Sequence, residues 1–271
     1  MVGNSQFTTI SYILRFFANF RIDLSRMCYY NSLKLPAKKE ITLKGKKKTI
    51  PATDITVQSG FAYQSWPIII ENNAGEWELE LAHWEFIPWF IKNLGELQES
   101  RKKYNTLNAT AEKLFESKIY KAAAKARRCL VLSTGFFEWR HYQRPEDKKP
   151  VAFPYYIHSA DKQEDLLFMA GIWQPWTDEL SGEMVHSFAI VTTQANGLME
   201  KIHNTKKRMP TILPTTLAEE WISPIRENRV KELAAYQAEE GTLTAYSLSK
   251  DFNKGIFNPL EEVEYKNLPP L

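Results

Sequence analysis

Residues 67–81 carry the pattern that most restricts the fold. Pro67–Ile70 is a short apolar run, Asn72-Asn73-Ala74-Gly75 is a turn signal, and Trp77, Leu79 and Leu81 then alternate with Glu76, Glu78 and Glu80. Period-two alternation on the far side of a turn describes a β-hairpin with one wet face. Similar runs recur at Cys129–Leu132, Phe136–Arg140, Tyr155–His158, Leu166–Ile172 and Ser187–Thr192, parted by polar turns such as Thr177–Glu183. One long helix is expected over Ala111–Arg128, where Leu114, Phe115, Ile119, Ala122 and Ala123 recur at helical spacing among Ala, Lys and Glu. Shorter helices are expected at Gln194–His203 and Val230–Tyr236, an extended segment at Leu243–Leu248, and a proline-bearing tail at Asn267–Leu271. Many short strands with few helices give an α+β fold with a mostly antiparallel sheet.

At 271 residues and 44% hydrophobic, the chain can bury a sizeable core, and one domain is expected. A net charge of +3 permits a polyanionic partner without demanding one, and an aromatic share of 13% leaves rings for base stacking beyond those a core needs. The lysine-rich stretch from Lys34 to Lys48, broken by Pro36 and Gly45, reads as a hairpin tip ahead of a phosphate-binding arm. Two cysteines, Cys28 and Cys129, form neither a disulfide framework nor metal-ligand spacing, so a reducing cytosol and no metal or other cofactor are expected. Residues 1–26 hold only a short apolar run interrupted by Arg15 and make a poor signal peptide, and no later run is long enough to span a membrane.

Four blocks carry the chemistry: Met27-Cys28, Asn108-Ala109-Thr110-Ala111-Glu112, Gly135-Phe136-Phe137-Glu138-Trp139-Arg140-His141, and Ile202-His203-Asn204 with Arg208-Met209-Pro210. In this order they resemble the SOS response-associated peptidase family of abasic site processing proteins, with weaker support at Trp84–Trp89 and Ala170–Trp173. The resemblance implies a curved sheet approaching a barrel, and a mature chain that begins at Cys28. It also implies abasic sites in single-stranded DNA as the target, with no obligate protein partner, a cytoplasmic location, and possible lyase and self-processing peptidase activity.

An N-terminal cysteine offers an amine and a thiol two carbons apart, a pair that condenses with an aldehyde to a thiazolidine. Its α-amino group, with a pKa near ~8, is partly uncharged at neutral pH. Ring-opened deoxyribose presents such an aldehyde. Imine formation needs a group that gives and takes protons, and Glu138 among Phe136, Phe137 and Trp139 suits that task. A salt bridge from Glu138 to Arg140 or Arg128 is the plainer alternative. His203 can shuttle protons near neutral pH, and Asn108 can hold the adduct through its amide or simply cap the helix after it. Arg208, Lys206 and Lys207 are the candidate phosphate contacts, and Trp84 and Trp89 the candidate stacking rings, with core packing nearly as plausible for those two.

Tyr29 and Tyr30 stand where the family usually has Gly-Arg, Thr110 replaces an arginine, and Thr205-Lys206-Lys207 is extra length. Phosphate contacts are therefore expected to shift to Lys206, Lys207, Lys102 or Lys103. Residues 1–26 are expected to be a leader that is removed or never translated, with the catalytic domain over 27–271. Two other readings remain: a cysteine peptidase using Cys28 and His203, and a non-covalent single-strand-binding module.

Overall fold

The computed structural model describes residues 29–254 and 258–271. Its first part holds β1 (Tyr30–Leu35), the hairpin β2 (Lys39–Leu43) and β3 (Lys46–Ile50), β4 (Thr53–Ser59), and the expected hairpin of β5 (Ser65–Glu71) and β6 (Trp77–Trp84). Then come α1 (Leu94–Arg101), β7 (Asn108–Thr110), α2 (Lys121–Ala126), β8 (Arg128–Ser133) and β9 (Gly135–Tyr142). The remainder is β10 (Val151–Ser159), β11 (Leu167–Thr177), β12 (Met184–Gln194), α3 (Gly197–Ile202), β13 (Arg208–Pro210), β14 (Ile212–Leu213), α4 (Thr215–Ile222), α5 (Glu227–Ala234) and β15 (Leu243–Ser247).

Five of these strands close into a barrel. β12 pairs with β11, β11 with β8, β8 with β5 and β5 with β6, all antiparallel, and β6 returns to β12 in parallel through Ser187↔His83 and Phe188↔Trp84. Closure leaves no open edge in that ring. The fold is thus the expected α+β domain with a barrel-like sheet, closed by one parallel seam. Trp66, Trp84 and Phe188 are fully buried and pack together, Trp84 lying 5.9 Å from Trp66 and stacked on Phe188 at 6.2 Å. The Trp66 indole N–H donates to Leu132 O.

β6 departs from simple alternation. Leu81 is exposed whereas Ala82 and Trp84 on the other face are buried, so the inward face changes as the strand twists to meet β12. The Lys34–Lys48 stretch is a hairpin whose tip, Lys44–Gly45, has positive φ at both residues, the geometry of a tight primed turn. Its lysines face carboxylates: Lys39 meets Asp165, Lys44 meets Glu71, Lys46 meets Glu76 and Lys47 meets Glu40. Four intramolecular ion pairs leave this stretch ill-suited to be a phosphate-binding arm.

The long helix expected over 111–128 is not formed. Asn108–Thr110 joins the barrel as β7, in parallel with Ile190–Thr192 of β12, Ala111–Lys113 makes a single tight turn, and only Lys121–Ala126 is α-helical. Leu114, Tyr120, Ala123 and Ala124 all reach the core, which a bent segment achieves and one straight helix against a barrel does not. Tertiary burial outweighs the helix propensity of Ala, Lys and Glu.

A second, antiparallel sheet runs β15-β10-β9-β1-β4. The chain crosses into it from the barrel at Ser133-Thr134-Gly135. Ser133 Oγ lies 2.6 Å from Asn31 Oδ1 and accepts from Gly135 N at 3.0 Å, while Thr134 N donates to Ser32 O at 2.8 Å. A Cβ on Gly135 would lie 2.3 Å from the Tyr156 ring, so only glycine permits this crossing. Residues 267–271 form no regular element, and Arg140 Nη1 donates to Pro269 O at 2.6 Å. No helix among the described residues is long and apolar enough to cross a membrane.

Candidate active site

β9 places Glu138 three residues beyond the crossing. Antiparallel pairing sets Tyr155 of β10 opposite Glu138 and Tyr30 of β1 opposite Phe137, and Glu138 is 3% exposed. The guanidinium groups offered as its plainer partners are engaged elsewhere: Arg140 bonds Pro269 O, and Arg128 donates to the carbonyls of Ala124, Lys125, Trp221 and Ser223.

His203 arrives from the other half of the chain. Asn196 caps the start of α3 by accepting from Met199 N, and His203 ends that helix, its own N–H donating to Met199 O. The chain then turns through Lys207, whose φ of 51° lies in the left-handed region. That turn brings Arg208 O within 2.8 Å of His203 Nδ1. Because a carbonyl oxygen only accepts, Nδ1 carries a proton and Nε2 is the nitrogen left for chemistry. Nε2 lies 3.9 Å from Glu138 Oε2, with both side chains almost wholly buried. Two proton-transfer groups at this separation can serve one substrate atom held between them.

Asn204 fixes the meeting point. Its Oδ1 accepts from His141 N at 3.1 Å and its Nδ2 donates to His141 O at 2.8 Å, tying the loop after α3 to the far end of β9. His141 has its pKa held below the usual imidazole value, first by burial and then by the neighbouring His203. Cys129 is core, as its apolar run suggests, and burial pushes its thiol well up from the ordinary value. Among the described residues, no group of three or more His, Cys, Asp or Glu could hold a metal ion.

The other sequence candidates separate. Cys28 lies outside the described residues. Asn108 is buried in β7 and is therefore not a helix cap; its carbonyl accepts from Tyr120 OH at 3.4 Å. β7 and β13 flank the end of β12, with Thr192 paired to both Thr110 and Pro210. Arg208, at the start of β13, makes a two-pronged ion pair with Glu112. Lys206 is exposed, and Lys207 stands 3.6 Å from Glu200. Trp84 is a core residue, 1% exposed with its indole N–H on Leu107 O, so its ring is closed to base stacking. Trp89 is 68% exposed and meets Phe90 edge-on at 5.6 Å.

Sequence reasoning assigned no role to Tyr29, Glu112, His141 or Asn204. Tyr29, next in the chain after Cys28, is buried, packs on Phe61 at 4.7 Å and receives a hydrogen bond from Asn105 Nδ2 at 2.9 Å. Glu112, His141 and Asn204 all stand inside the four recognised blocks, the one signal that marked them; their partners are 63 to 96 residues away.

A closed mixed barrel, a second sheet, and a buried carboxylate on β9 lying 3.9 Å from the imidazole that ends α3 characterise this α+β protein. Residues 27–255 match the model of the SOS response associated peptidase (SRAP) family, and the chain belongs to that family. Among its relatives, the abasic site processing protein HMCES of Xenopus tropicalis is 33% identical over 158 residues, 52% of this chain and 43% of that protein. The abasic site processing protein YoqW of Bacillus subtilis is 28% identical over 200 residues, 73% of this chain and 81% of that protein. The matched region thus spans less than half of the frog protein and most of the bacterial one. A crystal structure of a Bacteroides thetaiotaomicron protein, 29% identical, superposes with a TM-score of 0.69 over 86% of this chain and 97% of its own. A phage-related protein of Bordetella bronchiseptica, 21% identical, shares the fold at a TM-score of 0.58 over 82% and 95%.

Proposed function

We propose that this chain processes abasic sites in DNA as part of a damage response, capturing them covalently in single strands through Cys28 as the N-terminal residue of a catalytic domain over 27–271. The observation that carries this reading is the buried Glu138–His203 pair, 3.9 Å apart, with Glu138 on the strand β9 that pairs with β1. Tyr29 follows Cys28 directly in the chain. In the β1–β9 register Tyr30 faces Phe137, so the start of β1 runs toward the Glu138 end of the pair. The names of the relatives support the same substrate.

The Cys28 amine adds to the aldehyde carbon of the opened sugar, giving a carbinolamine. Glu138 protonates the departing hydroxyl, which leaves as water, and the imine forms. The thiol sulfur then bonds the imine carbon, its proton passes to nitrogen, and a thiazolidine closes with no oxidant or reductant needed. His203 Nε2 assists sugar opening, and Asn108 holds the adduct. Arg208, Lys206 and Lys207 meet phosphates, and the exposed Trp89 ring stacks on a base. Strand cleavage and removal of residues 1–26 are accompanying activities in this reading; a start at Met27 with the methionine trimmed serves as well.

Denatured intact mass of the chain expressed from Met1 and from Met27, each incubated with single-stranded DNA carrying one abasic site, tests it. An oligonucleotide-sized gain confined to molecules beginning at Cys28 is expected. A verified Cys28 terminus that forms no adduct overturns covalent capture.

A further inference from the structure

The geometry around Arg208 points to a restraint on DNA affinity that rests on the abasic-site reading above. Arg208 Nη1 donates to Glu112 Oε1 at 2.6 Å, Nη2 donates to Glu112 Oε2 at 2.9 Å, and Nη2 also donates to Thr192 O at 2.6 Å. Arg208 Nε is buried and has no hydrogen-bond partner among the described residues, so the guanidinium meets the outside through its Nη edge. That edge carries the carboxylate. The Glu112 side chain is 49% exposed against 14% for Arg208, which puts the negative group on the solvent side of the positive one. The hydrogen bonds from Arg208 also hold the Glu112 carboxyl below the usual range, so this group is a carboxylate at neutral pH.

We propose that Glu112 competes with DNA phosphate for Arg208, and that a phosphate must displace the carboxylate before it binds. An approaching strand meets the Glu112 charge first, and Arg208 adds little to affinity while the pair is intact. Bidentate carboxylate and bidentate phosphate use the same guanidinium geometry, so one replaces the other without rebuilding the site. The exchange is confined to side chains. Arg208 keeps its β13 pairing with Gln194 and its carbonyl stays on His203 Nδ1, leaving the imidazole in place. Such a restraint lowers affinity for undamaged strands, where no covalent step follows, and so sharpens selection for the lesion.

The test is fluorescence anisotropy of a lesion-free single-stranded oligonucleotide, titrated over a range of salt with the wild type, Glu112→Gln, Glu112→Ala, Arg208→Ala and the Glu112→Gln/Arg208→Ala double variant. Both Glu112 variants should bind severalfold more tightly at low salt, with a salt dependence steeper by about 0.7 in log–log slope, the contribution of one phosphate on a single strand. The gain should vanish when Arg208 is also removed. Weaker or unchanged binding in folded Glu112 variants, checked by melting temperature, overturns the proposal, as does a gain that survives without Arg208. Wild-type binding with no response to Glu112 sinks the restraint alone, whereas no binding by any variant sinks the DNA-directed reading with it.

Discussion

Along β8 the residues Cys129–Leu132 are apolar and wholly buried, whereas Ser133, Thr134, Glu138 and Arg140 at its end and just beyond are also buried yet polar. Asn31 and Ser32 of the adjoining β1 complete that polar seam. The barrel wall is held by area removed from water, which is strong but indifferent to small displacements. The seam is held by directed bonds such as Ser133 Oγ to Gly135 N, whose loss leaves a buried donor at a cost of about 1–3 kcal/mol. The comparison teaches that the chain builds its bulk stability in one place and its geometric precision in another, with the Glu138–His203 pair on the precise side.

Trp84→Ala probes the barrel and should have the largest effect on stability. The ring is fully buried between Trp66 and Phe188, and its removal opens a cavity that costs about 3–5 kcal/mol. Chemical denaturation measures this directly. A loss under about 1.5 kcal/mol would mean the barrel repacks, and the contrast with the seam would collapse.

Gly135→Ala probes the seam. Its Cβ would overlap the Tyr156 ring, whose hydroxyl donates to Thr134 O at 3.0 Å, so ring and strand must shift together. An overpacking loss of about 1–3 kcal/mol is expected in the same denaturation experiment. The sharper expectation concerns function: because Glu138 is three residues along the same strand, adduct formation should fall further than stability does. A variant that loses stability and keeps full reactivity would show that the seam does not set the site.

Much of this division was legible in the sequence. The hairpin at 67–81, the runs that became β8, β9, β10 and β12, and the short helix before His203 follow from period, turn residues and apolar content, because those segments keep their local preference in the fold. The 111–128 segment did not, since pairing of Asn108–Thr110 with β12 and burial of Leu114 depend on residues some eighty positions away. The motif blocks brought Glu138 and His203 forward separately, each as a proton-transfer group, and only the structure shows that they stand 3.9 Å apart. Trp84 and Trp89 looked alike in sequence, and only the β6–β12 seam, which buries one and leaves the other exposed, tells them apart. Glu112 and Asn204 gave no sign of their tasks, because each acts through a partner that only the fold supplies.

Asn204→Ala removes both hydrogen bonds to the His141 backbone and should cost about 1–2 kcal/mol in stability, a net ~0.5–1.5 per bond reduced by exposure. Its expected signature is a slower approach to the covalent adduct at saturating DNA, since the loop carrying His203 is untied from β9. Asn204→Asp retains the acceptor to His141 N but not the donor to His141 O, and an intermediate rate would assign the effect to positioning. Equal rates in all three proteins would show that α3 alone holds His203.

The smallest effect is a pH dependence at the same corner. His141 has a native pKa below its ordinary 6.5, because burial disfavours the charged ring and His203 repels it. Well above pH 6.5 the ring is neutral in both folded and unfolded chains, so it contributes no slope. Below that value the unfolded chain binds the proton first, and stability falls with pH until the native ring is protonated as well. His141→Gln removes this pH dependence. Melting temperatures of the two proteins should differ by a constant well above pH 6.5 and shift in favour of the variant as the medium is acidified. Curves that stay parallel through that range would mean the ring titrates as in water, and the polar precision of the seam would stop short of His141.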